Sequence, residues 1–526
     1  MQKKCAFVSY SGQLDSFDQL IPDMSIACLL RTLNNHGFDC EFFDLSLPQT
    51  KFNDVLNYVA NNDLTFVGFK LWGGPIREQL EFAQKIKKKA ACSIIAGGPL
   101  PRLYEEATLK VTSDIFDILN YGEGEEALIG ICDYLEGKKR SMSSIPNIIY
   151  RENGEIVKTP IRLLEPDRIP IPAWDKVHLS NYLPILPLNM KRGCQWSCSF
   201  CSHPYLWGRR TDSKCLQGKK EAEVRAENAA SVRRRPWQSI QKEIDLDCND
   251  YGAQIIDVID STPDKRQLDR FCDYINSSKL DLIWCCFGRM GLFDEKFLTK
   301  LSLNGCRAIW YGFETGSDIM LQNMHKYVDT KTMAETIILT KKHDIRTVGS
   351  FVIAHPKETE ATLRETNEFI ENVKPDYHSI SPYILMPGSH VALNPSEYGV
   401  TIHDNWKEKI LQGMLAGQNM LELHYYDIQG IPNNQWWAQF KPLSNYRGWY
   451  DYRVADNMEL VCLLAKRLAV DPDKLAVNLV DILARKDTSA LSKFLEKAWR
   501  RSGSSPGNDQ AKICEFGQSI LDVKTA

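Results

Sequence analysis

The chain has 526 residues, of which 43% are hydrophobic and 25% charged, with a formal net charge of −3. Its length exceeds one ordinary core and points to roughly two to four domains. The composition excludes a disordered chain, and the near-balanced charge excludes a strongly basic nucleic-acid binder, which leaves small molecules or other proteins as partners.

The first 140 residues alternate strand-like and helix-like stretches, with strands expected at 5–9, 39–44, 65–70, 93–96 and 115–120. Such alternation predicts a Rossmann-like, doubly wound parallel sheet in an α/β fold. Ligands of these sheets sit at the carboxyl ends of the strands, which here carry Lys70-Leu71-Trp72-Gly73-Gly74, Gly97-Gly98-Pro99 and Gly122-Glu123-Gly124-Glu125. Residues 141–183 contain Pro146, Pro160, Pro166, Pro170 and Pro172 and read as a linker. A second βα series follows over 184–395, with strands expected at 185–190, 255–259, 282–286, 308–313, 347–353 and 378–385. Six such steps predict a partial (β/α)6 TIM-like barrel. Pro236 is placed to open one helix and Gly305 to close another. Within the barrel, residues 208–235 are highly charged (Lys219, Lys220, Arg225, Arg233-Arg234-Arg235) and read as a solvated surface insertion, with a lid or docking loop as the alternative. Residues 396–526 are expected to form a mainly helical, aromatic-rich C-terminal domain (Trp406, Trp436, Trp437, Trp449, Tyr446 to Tyr452), whose aromatic residues are expected chiefly in the core.

No apolar run is long enough for a membrane span, and the first residues lack the apolar core of a signal peptide, so a cytoplasmic location is expected. Sixteen cysteines are then expected as buried thiols or metal ligands, because that compartment keeps disulfides rare. Three of them stand apart. Cys194, Cys198 and Cys201 form a C-x3-C-x2-C run directly after the first barrel strand, on the face where barrel enzymes keep their active sites. Three thiolates on a cubane leave one iron without a protein ligand, and an open position is what a catalytic metal centre needs. The competing arrangement is a structural zinc site completed by His203, which would make the chain a zinc-stabilised binding protein.

The run, with the aromatic Phe200 before its last cysteine, resembles that of the radical S-adenosylmethionine (SAM) superfamily, and the resemblance covers 183–393. It implies a 4Fe-4S cluster on Cys194, Cys198 and Cys201 whose open iron chelates SAM. It further implies SAM contacts from Phe200, Asp260, Ser261, Arg289, Glu314 and His355, the last opening a His355-Pro356-Lys357-Glu358-Thr359 loop in which Lys357 replaces a usual glycine; Pro387-Gly388-Ser389 resembles the loop after the sixth strand. The first 140 residues are similar to the cobalamin-binding domain of the B12-dependent members. That similarity implies cobalamin contacts from Lys70, Leu71, Trp72, Gly97, Gly98, Gly122 and Glu123. The Asp-x-His-x-x-Gly motif of other B12 proteins is absent, and the first histidine is His36. Together the resemblances imply a cobalamin-dependent radical SAM enzyme that methylates an unreactive carbon of a small-molecule or peptide natural product through a 5'-deoxyadenosyl radical and methylcobalamin. A radical cyclase or rearrangement enzyme is the alternative. The expected electron donor is a flavodoxin or ferredoxin. No acid-base constellation is evident.

Overall fold

The computed structural model describes residues 3–112, 114–208, 218–444 and 457–502. Its first sheet contains β1 (Lys3–Ser9), β2 (Phe38–Asp44), β3 (Leu64–Lys70), β4 (Ser93–Gly97), β5 (Ile118–Asn120), β6 (Ile148–Glu152) and β7 (Glu155–Lys158), in the order 2-1-3-4-5-6-7. β1 to β5 run parallel, as the alternation of strands and helices predicts. The order reverses between β1 and β3, which sets the switch point where ligands of such sheets bind. Cys5 and Cys40 lie opposite each other on β1 and β2 and form a disulfide. The expectation of uniformly reduced thiols is corrected at this pair.

The stretch expected as a linker contributes two antiparallel strands, β6 and β7, to this sheet. They are joined by Asn153-Gly154, both with positive φ (51° and 87°), the backbone that a two-residue hairpin requires. Beyond them, residues 159–185 strap the two sheets together: Ala173 N–H donates to Ala27 O, and Leu183 N–H donates to Leu20 O.

The second sheet holds β8 (Leu186–Leu188), β11 (Ile255–Val258), β12 (Ile283–Gly288), β13 (Cys306–Glu314), β14 (Arg346–Ile353) and β15 (Tyr377–Pro382), all parallel, in the order 15-14-13-12-11-8. β8 and β15 are its edges, so the barrel is partial. Between β8 and β11, β9 (Lys191–Arg192) pairs antiparallel with β10 (Arg233–Arg234). Helix Trp237–Asn249 begins after Pro236, and helix Glu295–Leu303 begins on Asp294, whose carboxylate accepts from Phe297 N–H.

The C-terminal part is mainly helical, as expected. It opens with a small antiparallel sheet of β16 (Val400–Ile402), β17 (Tyr426–Ile428) and β18 (Ile431–Pro432). Helix Met458–Leu468 then packs on β12 to β14 and is buried on nearly every side, so it completes the barrel's wall. Trp406 stacks on Tyr425, and Trp436 is buried with its indole N–H donating to Ala354 O, as core residues do. Trp449 and Tyr446 to Tyr452 lie outside the described residues. No described helix is long and apolar enough to cross a membrane.

Candidate active site at the carboxyl edges of the two sheets

The cysteine loop is set from the end of β8 onward. Asp260, after β11, accepts hydrogen bonds from Asn189 Nδ2 (2.9 Å), Met190 N (2.8 Å) and Lys191 N (3.1 Å) and so fixes the chain that leads into the loop. It is fully buried with Oδ2 unpartnered, and burial raises its pKa to about 6. Gly193 turns the chain with φ of +92°, where an added Cβ would lie 3.0 Å from Ser231 O. Cys194 Sγ then lies 3.5 Å from Thr262 Oγ1, and Cys201 Sγ accepts from His203 N–H at 3.4 Å. Cys201 N–H closes a turn on Cys198 O (3.1 Å). Burial pushes the Cys201 thiol up, with Cys198 and Cys194 adding to the effect, so a nearby cation is needed to hold it as thiolate.

The donor set fits a cubane better than zinc. A tetrahedral zinc with ~2.3 Å bonds to sulfur draws its ligands to about 3.8 Å from one another. Cys194, Cys198, Cys201 and His203 do not gather their ligand atoms even within 4.8 Å, as His325/His390/Glu397 and His403/His424/Asp427 do among the described residues. The His203 ring is also occupied, with Nε2 on Ser261 Oγ. All three cysteines are free and partly exposed, ready to hold a cluster.

The remaining strand-end residues surround this loop. Arg289, after β12, places a guanidinium nitrogen 3.7 Å from Cys198 Sγ, stacks 3.8 Å over Trp196 and donates to Lys326 O. Glu314, at the end of β13, pairs with Lys326 Nζ at 2.8 Å, and both are buried. Gly312 leaves the room for that pair, since its Cβ would fall 2.3 Å from Glu314 Oε1. Phe200 packs against the core. Fully buried His355 binds Ser199 Oγ through Nε2 (3.2 Å) and Pro356 O through Nδ1 (2.6 Å). Burial lowers its pKa to about 3, so it is neutral at physiological pH. Lys357 adopts φ of +74°, the left-handed backbone that a glycine there takes without strain. Thus Arg289 alone of the six touches a cysteine, while Asp260 and His355 hold the loop's backbone and Ser199, and Glu314 and Ser261 are engaged with Lys326 and His203.

Facing the loop is the carboxyl edge of the first sheet. Arg102, on the helix after β4, donates to Tyr205 O (2.8 Å) just past the cysteines, and Tyr205 OH bonds Glu105 (2.6 Å). Gly388, after β15, packs on the same tyrosine, its Cβ position 2.3 Å from the ring. Leu71, Gly97 and Gly98 form one tight unit: Leu71 N–H donates to Gly97 O (2.8 Å), and Gly98, at φ of +101°, would set a Cβ 2.7 Å from Leu71 O. Beside it the edge is open. Trp72 is 53% exposed, and nothing lies within 4 Å of a Cβ on Gly73 or Gly74. An exposed indole beside a glycine shelf at the switch point suits a large flat ligand. Lys70 is paired with Asp23 and Ser25. Gly122 and Glu123 meet residues of both sheets. Gly122 abuts Asn147, and the Glu123 carboxylate binds Arg192 and Arg233, each at 2.6 Å, as well as Leu164 N, while Glu125 takes the other end of Arg192. This buried cluster bolts the sheets together. His36 precedes β2 and binds Thr32 O, at the opposite edge.

The B12 binding domain family matches residues 11–131, and the radical SAM superfamily matches residues 188–370. The chain is a radical SAM enzyme with a B12-binding domain. Among curated relatives, an uncharacterized methyltransferase of Pyrococcus horikoshii is 24% identical over 397 residues, 74% of this chain and 81% of its own. An anaerobic magnesium-protoporphyrin IX monomethyl ester cyclase of Rubrivivax gelatinosus is 24% identical over 287 residues, 52% of this chain and 48% of its own. Among solved structures, the radical SAM methyltransferase TsrM of Kitasatospora setae, with cobalamin and a 4Fe-4S cluster bound, superposes with a TM-score of 0.62 at 16% identity, covering 76% of this chain and 77% of that one. The cobalamin-dependent enzyme OxsB, with aqua-cobalamin and SAM bound, gives 0.61 at 14% identity, covering 98% and 84%.

A radical SAM enzyme of this kind uses a 4Fe-4S cluster, SAM and cobalamin. The reading as a zinc-stabilised binding protein is therefore withdrawn. Several residues at the site carry no motif. Arg225, in helix Glu221–Ala230, stacks over Trp196 (4.6 Å) and Tyr327 (4.8 Å), and Asn228 donates to Trp196 O (2.7 Å). This helix of the charged insertion thus lies against the cysteine loop. Two of the insertion's last three arginines are not solvated: Arg233 joins the bolt and Arg235 is wholly buried on Glu243, while Arg234 stays exposed beside Asp264.

Proposed function

We propose that this radical SAM enzyme methylates an unreactive carbon of a small molecule or peptide. The 71–74 and 97–98 loops would hold cobalamin in the seam, and Arg289, Asp260, Ser261, Glu314 and His355 would hold SAM at the cysteine loop. The carrying observation is the juxtaposition of two carboxyl edges: elements following β4 and β5 contact elements following β8, so loops suited to two cofactors open into one seam. When bound, the cluster and SAM supply a hydrogen-abstracting radical and cobalamin supplies a transferable methyl group.

The chain's own groups bind and orient. Asp260 holds the entry of the cysteine loop, Arg289 keeps positive charge beside Cys198 and clamps Trp196, and neutral His355 anchors Ser199. Trp72 offers a face for the corrin, while Glu123 and Gly122 act only through the bolt. An exchange of electrons with a flavodoxin or ferredoxin starts the reaction. The cyclase relative, of which the match spans about half, favours as second reading a radical cyclisation without methyl transfer.

Anaerobic reconstitution with iron and sulfide, with and without hydroxocobalamin, tests the proposal. About four irons per chain, a corrin spectrum that survives gel filtration, and a product heavier by one CH2 are expected. Full activity without cobalamin refutes the seam assignment, and a product lighter by hydrogens selects the cyclase.

A further inference from the structure

Behind the cysteine loop, and used by none of the chemistry above, His325, His390 and Glu397 each bring a donor atom within 4.8 Å of the others. The two imidazoles meet edge to face, 5.0 Å between centroids, without a bond between them. His325 Nδ1 and His390 Nε2 are both buried and both without a hydrogen-bond partner. Two such nitrogens in one place are costly in a folded chain unless something satisfies them. Their other nitrogens converge on one oxygen: His390 Nδ1 lies 3.0 Å and His325 Nε2 3.4 Å from Tyr398 OH, itself buried. With ring N–H groups turned to Tyr398, the lone pairs fall on the two unpartnered nitrogens. That is how a second layer of contacts fixes the tautomer of metal-binding histidines.

We infer that His325, His390 and Glu397 bind a divalent ion of the zinc class at a site separate from the cysteine cluster. Two imidazoles and a carboxylate form a donor set that zinc accepts, with the fourth position left open. A tetrahedral centre with ~2.05 Å bonds needs donors about 3.3 Å apart. Glu397 is exposed and free to swing, so the set closes by movement of one side chain. Glu397 also lines a cavity of about 460 Å3 with Gly218, Lys219, Lys220, Asn394 and Ser396, so its carboxylate is reached from solvent. Glu221, whose charge acts on His390 and Tyr398, adds to the negative field. His325 holds φ of +56°, a backbone cost accepted where a side chain must be aimed.

Anaerobically reconstituted holoenzyme is dialysed against zinc, and zinc and iron are counted per chain. About one zinc beyond the cluster iron is expected. Glu397→Gln and His390→Gln should each lose it, and Tyr398→Phe should weaken it by roughly 10- to 100-fold while iron content holds. His424→Gln should change nothing, which separates this site from the exposed His403/His424/Asp427 group. Should His390→Gln fail to fold, the exposed Glu397→Gln variant decides. No retained zinc, retention unchanged in Glu397→Gln, or loss in His424→Gln overturns the inference.

Discussion

Replacing Glu123 by alanine removes one of two carboxylates from a buried set of two carboxylates and two guanidinium groups. Arg192 keeps Glu125 at 2.6 Å, while Arg233 keeps the carbonyls of Leu164 (2.9 Å), Trp207 (3.3 Å) and Ser231 (3.4 Å) and loses its ion partner. The side chains of Glu123, Arg192 and Arg233 are 6%, 9% and 8% exposed, so water does not take over. Breaking a buried pair from one side costs about 3–5 kcal/mol. For a cooperative unit of this size each kcal/mol moves the melting midpoint by about 2–4 °C, so the seam's transition should fall by roughly 6–20 °C in scanning calorimetry. Two separable transitions are expected in the variant, because a multidomain chain need not melt as one. The double variant Glu123→Leu/Arg233→Leu leaves Arg192 and Glu125 balanced and should recover at least half of the loss. A shift below roughly 2 °C, or a double variant no better than the single, refutes the bolt.

Cys198→Ala should leave the chain folded but abolish iron retention and 5'-deoxyadenosine formation; SAM cleavage in the pure variant counts against the cluster assignment. Alanine at Asp260, Arg289, Glu314 or His355 should lower SAM affinity and product formation together, and a variant that binds and cleaves SAM normally yet makes no product assigns that residue to the substrate. Burial raises the pKa of Glu358 to about 7, against 4.5 for the ordinary group, so the folded chain keeps a proton that the unfolded chain releases. Stability from this group is full below pH ~4.5 and falls as pH rises toward 7, by about 1.4 kcal/mol per unit, so Glu358→Gln should flatten the decline of the melting midpoint between pH 5 and 7. Gly98→Ala sets a Cβ 2.7 Å from Leu71 O at φ of +101° and should reduce cobalamin retention without touching iron content.

The strands were legible because parallel strands covered on both faces are short apolar runs, and each expected position in the two main sheets holds an observed strand within a few residues. The cysteine loop was legible because its spacing is local. The hairpin of β6 and β7 was obscured by the prolines around it, although Asn153-Gly154 between Ile148-Ile149-Tyr150 and Ile156-Val157 carries the signal of a two-residue turn. Arg233 and Arg235 looked solvated because their partners Glu123 and Glu243 lie on other elements, and a charge is told apart as buried only once its partner is known. For the same reason Lys326, Arg225 and Tyr398 had no motif: each acts through a residue distant in sequence. The buried all-round helix Met458–Leu468 reads locally like any amphipathic segment, and only the barrel behind it explains its apolar polar-side positions.

The pairing of β9 with β10 makes residues 193–232 a closed excursion that leaves and re-enters the fold at one two-residue clamp, Arg192 against Arg233 and Lys191 against Arg234. Lengthening such an excursion is cheap, about 0.6 kcal/mol for each doubling of a flexible loop. The barrel strands and the interdomain bolt lie at or outside the clamp, and Tyr205 and Trp207 inside it tie the first half of the excursion to Arg102 and Arg233. Helix Glu221–Ala230 in the second half touches the cysteine loop through Arg225 and Asn228 at Trp196, so its other exposed positions can trade charge for a different substrate while the clamp and the metal-binding half stay in place.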